Sequence, residues 1–174
     1  MKTKFTTKSL VFAGLLIAME IILSRFVQIP IPYFELSKDR ISLGFLPVAV
    51  GGMLYGPFGG GLIAGLADIL RAIILPQGGA INPLFTLTAL SRGVLYGVLL
   101  HSGTDKKRIF TVSLIILVFI NLYANSLITA FSYGGTFWAR LYTKLIPAIV
   151  NFAIQCAVLM PSLPKIERRL RHHV

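Results

Sequence analysis

The chain has 174 residues, of which 55% are hydrophobic and only 13% are charged, and its mean hydropathy is +0.78. A water-soluble domain of this length needs far more polar surface, so the composition excludes a soluble enzyme and a disordered chain. The single cysteine excludes a disulfide scaffold, and the long uncharged stretches argue against an outer-membrane barrel. The net charge of +11 is interpreted first as a signal of membrane topology and not of nucleic-acid binding.

Apolar segments in chain order predict six membrane-spanning helices. Charges are absent from several stretches of about 18 or more residues, the length that crosses the hydrocarbon core of a bilayer as a helix. The second and third segments are short and are joined by Gly56 and Pro57, the two strongest helix breakers, so we predict a tight helical hairpin there. The predicted spans are Ser9–Val27, Ile41–Tyr55, Gly59–Leu75, Pro83–His101, Ile109–Phe131 and Lys144–Met160.

An even number of spans places both termini on the same side of the membrane. Ten basic residues then lie on that side, and the positive-inside rule makes it the cytoplasm. Seven other basic residues are left in the membrane or on the outer side, where an excess of cations suggests capture of an anion from outside. The ten are Lys2, Lys4, Lys8, Lys106, Lys107, Arg108, Lys165, Arg168, Arg169 and Arg171. The seven are Arg25, Lys38, Arg40, Arg71, Arg92, Arg140 and Lys144.

Ionisable residues inside the spans are costly and usually face the interior of a bundle. Asp68 and Arg92 fall near the middle of adjacent spans that run in opposite directions, so the two side chains are able to pair. Two interpretations stay open at this point. The pair is either a structural ion pair that fixes the helix register or a polar floor for a ligand pocket.

Amide and aromatic side chains are the other candidates for recognition. Asn82 stands before a proline that is typical of a first helical turn, and Asn121 and Asn125 lie four residues apart on one helix face. This pair of amides has two possible kinds of hydrogen-bond partner, and both stay open: other helices, or the hydrogen-bonding edge of a ligand. Trp138 belongs to the interfacial aromatic belt or to a platform that stacks on a flat heteroaromatic ligand, with Arg140 beside it to hold a carboxylate.

Small residues in the first span predict a contact with another helix. Gly14 and Ala18 have the small-xxx-small spacing, with Ala13 adjacent. The sequence has no GxxxxGK[ST] phosphate loop and no HExxH, CxxC or GxSxG motif, and Cys156 has no neighbours at metal-ligand spacing. We therefore predict that the chain is not an enzyme and holds no metal or cofactor of its own.

Four segments together resemble the folate-specific S components of energy-coupling factor (ECF) vitamin transporters. They are the block Arg40–Pro47 (RISLGFLP), the Gly56-Pro57 turn, Ala67-Asp68 in the third span, and Asn82-Pro83 followed by Phe85-Thr86-Leu87-Thr88. The resemblance covers essentially the whole chain. It implies one six-helix domain over residues 1–174, an all-α integral membrane protein with both termini in the cytoplasm. The bundle is compact, and its ligand pocket faces outward and is closed by the outer loops.

The resemblance also implies a mode of action. An S component has no motor; it binds its vitamin outside a prokaryotic cell and docks onto a transmembrane coupling subunit that carries two ATP-consuming ABC ATPases. The resemblance implies that release inward follows tilting of the whole component. The docking surface includes the small residues of the first span, which here are Ala13, Gly14 and Ala18.

Folate has a flat pterin with a hydrogen-bonding edge, an aromatic linker and an anionic glutamate, and the candidate site residues suit these groups. We hypothesise that Asp68 accepts hydrogen bonds from the pterin, that amides satisfy its other edges, and that an arginine holds the glutamate. The full candidate set is Arg25, Arg40, Asp68, Asn82, Phe85, Arg92, Asn121, Asn125, Trp138 and Arg140. The alternatives are an S component for another vitamin, a stand-alone small membrane carrier, and a membrane enzyme that acts on lipid, for which no acid cluster is visible.

Overall fold

The structure is a computed structural model and describes residues 7–26, 28–30, 40–74 and 82–170. Its helices are α1 (Thr7–Phe26), α2 (Phe45–Ile74), α3 (Pro83–Leu100), α4 (Lys106–Ile115), a π-helix that we call the π-segment (Ile116–Ala124), α5 (Asn125–Tyr133) and α6 (Phe137–Leu170). Two strands of three residues each, β1 (Gln28–Pro30) and β2 (Arg40–Ser42), pair in antiparallel register. Apart from this short pair, the described elements are helical, as predicted.

Five of the helical stretches are long and apolar enough to cross a membrane. They are Thr7–Phe26, Phe45–Ile74, Pro83–Leu100, Lys106–Ser132 and Phe137–Arg169. The fourth combines α4, the π-segment and α5 without a break. The protein is therefore a multi-pass helical membrane protein.

The second of these stretches reverses direction at Gly56. This residue has a φ of 71° and a ψ of −166°, a left-handed conformation that glycine adopts without steric cost, and Pro57 follows it. A Cβ atom added to Gly60 would lie 2.8 Å from the Cα atom of Gly52. Eight residues along a straight helix span about 12 Å, so the two halves of α2 must fold back on each other. The predicted hairpin is confirmed.

Backbone contact between α2 and α3 depends on glycines in both helices. A Cβ atom on Gly93 would lie 2.2 Å from the carbonyl oxygen of Gly60, and one on Gly97 would lie 2.4 Å from that of Gly56. Such close approach is typical of membrane helices, which pack through van der Waals contact because lipid removes the hydrophobic driving force between them. The hairpin and α3 therefore form one tightly packed unit.

Helix α6 is longer than the span predicted for it. It begins at Phe137, before Lys144, and ends at Leu170, beyond Met160, and it continues through Pro147, Pro161 and Pro164. The prediction placed the span's start at Lys144 and its end before Lys165, but charged side chains are good helix formers and do not stop a helix. The charged residues Lys144 and Lys165 therefore mark the limits of the apolar part of α6, and the helix extends beyond both of them.

One end of the bundle, which we call the basal end, is fixed by three hydrogen bonds between distant residues. The Tyr55 hydroxyl donates to the carbonyl of Ser9 at 2.9 Å, and Nδ1 of His101 lies 3.0 Å from the carbonyl of Met53. Thr104 donates to the carboxylate of Glu167. These contacts bring together the start of α1, the turn of α2, the loop after α3 and the last turns of α6.

The predicted cytoplasmic cations of the described ranges lie at or beside this basal end. They are Lys8, Lys106, Lys107, Arg108, Lys165, Arg168 and Arg169. Lys2, Lys4 and Arg171 lie outside the described residues. At the opposite end, which we call the distal end, α1 and α2 finish and α3 and α6 begin.

Candidate functional site

A charged cluster lies between α1, α2 and α3, toward the distal end. Arg71 donates a hydrogen bond from Nη2 to Oδ1 of Asp68, and Thr86 of α3 donates to Oδ2 of the same carboxylate at 2.9 Å. Nη1 of Arg71 lies 3.9 Å from Oε1 of Glu20 on α1. Glu20 is only 9% exposed, so the cluster is well shielded. Buried charges of this kind persist only when they are paired or hydrogen-bonded.

The pairing of Asp68 with Arg92, which the sequence left open, is not found among the described residues: Asp68 pairs with Arg71 instead. Arg71 stands three residues after Asp68 on the same helix, so the two side chains are neighbours on one face, and this i, i+3 spacing was the signal for the pair. The buried Nε atom of Arg92 has no hydrogen-bond partner among the described residues. Arg92 still lies within electrostatic range of Glu20 and contributes its charge to the cluster.

Asn82 caps α3 and joins it to α5. Its Oδ1 atom accepts a hydrogen bond from the backbone N–H of Leu84 at 3.0 Å, which is N-cap geometry, and its Nδ2 atom donates to the hydroxyl of Ser132 at 2.6 Å. Both ends of the amide are thus engaged by the fold. A ligand that contacts Asn82 has to share or replace one of these bonds. Phe85, one turn further on, is half-buried.

Asn121 and Asn125 lie in and directly after the π-segment. Both are half-buried, and neither side-chain amide has a hydrogen-bond partner within the described ranges. The backbone N–H of Asn125 donates to the carbonyl of Ile120, five residues earlier, which is a π-helical bond. The prediction that Asn121 and Asn125 share one face assumed α-helical spacing, and a π-helix has a different spacing. π-Helical turns occur often at functional sites, and the sequence gives no pattern that predicts one.

Lys144 is a buried cation beside Asn125 that the candidate set omitted. It is only 5% exposed, and its Nζ atom donates to the carbonyl of Asn125 at 3.1 Å and to the hydroxyl of Thr129 at 2.8 Å. These bonds tie α6 to the junction between the π-segment and α5. In the sequence, Lys144 is a single lysine next to a long uncharged stretch. The sequence pattern therefore predicts that Lys144 is the edge of a span and not a buried residue.

Arg140 and Trp138 lie in the first turns of α6. Nε and Nη2 of Arg140 donate to the carbonyl of Gly134 at 3.3 and 3.0 Å. Trp138 is exposed, and its ring contacts Phe137 edge-on at 5.7 Å between centroids, while Phe137 contacts Tyr123 at 5.9 Å in the same manner. Three aromatic rings and one guanidinium therefore gather where α6 begins.

The two remaining arginines of the candidate set lie near the β1–β2 pair. Arg25 is half-buried in the last turn of α1. Arg40 opens β2, and its side chain lies outside the described part of the structure. Both positions are at the distal end, as are the charged cluster, Asn82 and Arg140.

A groove of about 430 Å³ between α3 and the π-segment contains none of the candidate residues. Its polar lining includes the hydroxyls of Thr88 and Ser91, and each of these donates to a carbonyl of its own helix. The rest of the lining is Val94, Leu95, Phe119, Ile120 and Ala124. The groove thus offers no charge to an anion, and the charged cluster is the better candidate site.

The predicted docking residues differ in exposure. A Cβ atom on Gly14 would meet nothing within 4 Å, and Ala18 is exposed on the same helix. Ala13 is half-buried and packs against the core of the bundle. Gly14 and Ala18 therefore form an open strip on α1, and Ala13 borders it.

Comparison with known proteins agrees with this architecture. The family model "ECF transporter, substrate-specific component" matches residues 8–165. The folate transporter FolT of Clostridium novyi (strain NT) is 31% identical over 160 residues, which are 91% of this chain and 90% of the relative. A FolT of Leuconostoc mesenteroides subsp. mesenteroides is 25% identical over 162 residues, 89% of this chain and 84% of the relative.

A solved structure supports the same conclusion. The crystal structure of FolT bound with folic acid superposes with a TM-score of 0.78 at 30% sequence identity, covering 90% of this chain and 91% of the other. These relatives are transport components and not enzymes, as predicted for this chain. Since the family model spans nearly the whole sequence, the chain belongs to the substrate-specific components of ECF transporters.

Proposed function

We propose that the chain is the folate-binding S component of an ECF importer. The observation that carries this proposal is the similarity, over nine-tenths of both chains, to a FolT structure that holds folic acid. The chemistry of the charged cluster supports it. Both carboxylate oxygens of Asp68 accept hydrogen bonds in this structure, from Arg71 and from Thr86, and in the proposed complex a pterin ring N–H and its neighbouring amino group take the place of these donors.

The glutamate of folate requires cations near the same end of the bundle. Arg140 presents two N–H donors to one neutral carbonyl, that of Gly134. Hydrogen bonds from a guanidinium to a carboxylate are stronger than those to a neutral carbonyl, so the glutamate is a better partner for this fork. Arg25 and Arg40 are the other proposed contacts, and Trp138, Asn121 and Asn125 complete the proposed pocket.

The topology that goes with this function has six spans, of which the two halves of α2 supply two. The basal end then faces the cytoplasm of a prokaryotic cell, because the exposed cations there obey the positive-inside rule. The distal end, with the candidate site, faces outward. Folate is captured from outside with high affinity.

The proposed delivery step uses partner subunits, which supply the ATP hydrolysis for which the chain itself has no nucleotide-binding motif. The proposed partners are the ECF transmembrane coupling subunit and its two ABC ATPases, which consume the ATP. The open strip on α1 at Gly14 and Ala18 is the proposed contact with the coupling subunit. Nucleic acid has no place in this function.

Equilibrium binding to the purified chain in lipid nanodiscs tests the substrate. Labelled folate is expected to bind far more tightly than riboflavin or thiamine, because neither offers both a pterin edge and a glutamate. Equal binding of the three vitamins would overturn the folate assignment, and tighter binding of one of the others would identify the chain as an S component for that vitamin.

A further inference from the structure

Arg71 stands between two carboxylates that belong to different helices. It donates to Asp68 on its own helix, and its Nη1 atom lies 3.9 Å from Oε1 of Glu20 on α1. The side chains of Glu20 and Asp68 are 11% and 13% exposed, whereas that of Arg71 is 31% exposed. The arginine therefore has more room to move than either acid.

The two carboxylates are satisfied to different degrees. Both oxygens of Asp68 accept hydrogen bonds, one from Arg71 and one from Thr86. On Glu20, the Oε2 atom is buried without a hydrogen-bond partner among the described residues, and Oε1 has Arg71 only at 3.9 Å. A buried carboxylate oxygen without a donor is costly, so Glu20 is ready to accept a stronger interaction.

A guanidinium and a pterin present the same pattern to a carboxylate. Each offers two neighbouring N–H donors in one plane, and a carboxylate binds such a pair through both oxygens. A pterin that binds both oxygens of Asp68 therefore takes the positions that the Arg71 guanidinium holds at Oδ1 and the Thr86 hydroxyl holds at Oδ2. The geometry points to an exchange: Arg71 holds Asp68 until the ligand binds, and the ligand then displaces Arg71 onto Glu20.

The displacement is short. Closing the 3.9 Å separation to normal hydrogen-bond distance needs a shift of about 1 Å, which a rotation of the guanidinium supplies. The bond that Arg71 loses at Asp68 is offset by the bond that it gains at Glu20. Ligand binding thus leaves no charge unpaired, and it adds a link between α2 and α1, the helix that carries the Gly14 and Ala18 strip.

This inference rests on the proposed function, and a double-mutant cycle tests it. Glu20→Gln is expected to weaken folate binding about tenfold in the wild-type background, because the displaced Arg71 loses its acceptor. In the Arg71→Met background the same substitution is expected to change binding less than about twofold. Arg71→Met alone is expected to bind folate at least as tightly as wild type, since nothing competes for Asp68.

Two outcomes would overturn the exchange. Equal weakening by Glu20→Gln in both backgrounds would show that Glu20 acts on the ligand or the fold without Arg71. Weaker binding by a folded Arg71→Met variant would make Arg71 a direct ligand contact. Failure of the wild-type chain to bind folate would instead refute the proposed function, so the two failures are distinguishable.

Two further variants keep the test decisive. Glu20→Gln in an Arg92→Met background controls for the second nearby arginine, and there the tenfold weakening is expected to persist. If Arg71→Met does not fold, Arg71→Gln replaces it in the cycle, because a neutral amide removes the positive charge that would otherwise pair with Glu20. The effect of Glu20→Gln is then expected to fall well below tenfold, and an undiminished effect counts against the exchange.

Discussion

The basal and distal ends of the bundle use charge in opposite ways. At the basal end, Lys106, Lys107 and Lys165 are exposed, and the ion pair of Arg108 with Asp105 is a loose surface contact of 3.8 Å. Pairs of this kind contribute little stability. Toward the distal end Glu20, Asp68 and Lys144 are shielded, and Asp68 and Lys144 are hydrogen-bonded to other residues.

The difference indicates that charged residues have two different roles at the two ends. The sequence alone shows only one overall excess of positive charge. In the proposed topology the exposed basal cations set the orientation of the chain in the membrane, and they need no fixed partner in the fold. Shielded distal charges need partners in the fold, and in the proposed function those partners are the groups that the ligand replaces. The following experiments test this division, beginning with the largest expected effect.

The strongest test separates capture from delivery along α1. Ala18→Leu fills the open strip beside Gly14, so we expect folate binding to stay unchanged while uptake in cells that carry the partner subunits is lost. Ala153→Leu, at another exposed alanine on α6, is the control and should preserve both. Normal uptake by Ala18→Leu would show that this strip does not dock.

The next effect concerns stability near the basal end. Gly97→Val places a Cβ atom 2.4 Å from the carbonyl oxygen of Gly56 and should lower the free energy of unfolding by about 3 kcal/mol. Gly14→Val makes the same change of residue type where a Cβ atom would meet nothing within 4 Å, so its melting temperature should match that of wild type. Equal melting of the two variants would contradict the close approach of α2 and α3.

Local patterns made part of this architecture predictable. The Gly56-Pro57 hairpin and the start of α3 at Pro83 depend on residues adjacent in sequence, and the apolar segments follow from their length alone. The partner of Asp68 was not predictable in the same way, because an acid in a membrane helix can pair along its own helix or across to the next. Arg92 on the neighbouring helix was the partner considered and left open, and Arg71 on the same helix is the partner found.

The π-segment and the burial of individual polar residues between helices were also not predicted from the sequence. The π-segment has no sequence signature, since an i→i+5 bond differs from an i→i+4 bond only in register. Lys144 looked like the interfacial edge of a span, and only the packing of α5 against α6 shows that it is buried. The burial of Glu20 likewise depends on where α1 meets α2.

Each end of the bundle carries an aspartate, so the same substitution can be compared at the two ends. Asp68→Asn removes the shielded carboxylate, and we expect folate affinity to fall by more than about 1 kcal/mol, because a hydrogen bond to a charged group is lost. Asp105→Asn removes an acid whose side chain is 80% exposed at the basal end, and folate affinity should not change. Isothermal titration of both variants decides the point, and unchanged affinity in a folded Asp68→Asn variant would remove Asp68 from the site.

The smallest expected effect comes from a single neutral hydrogen bond at the basal end. Tyr55→Phe deletes the donor to the carbonyl of Ser9 and should lower the free energy of unfolding by about 1 kcal/mol. Tyr142→Phe, at an exposed tyrosine of α6, should have no measurable effect on melting. Folate binding should be unchanged in both, because the basal end holds α1 in place without contacting the ligand. Weaker folate binding by Tyr55→Phe would mean that the two ends are coupled through α1, and the division of roles between them would then fail.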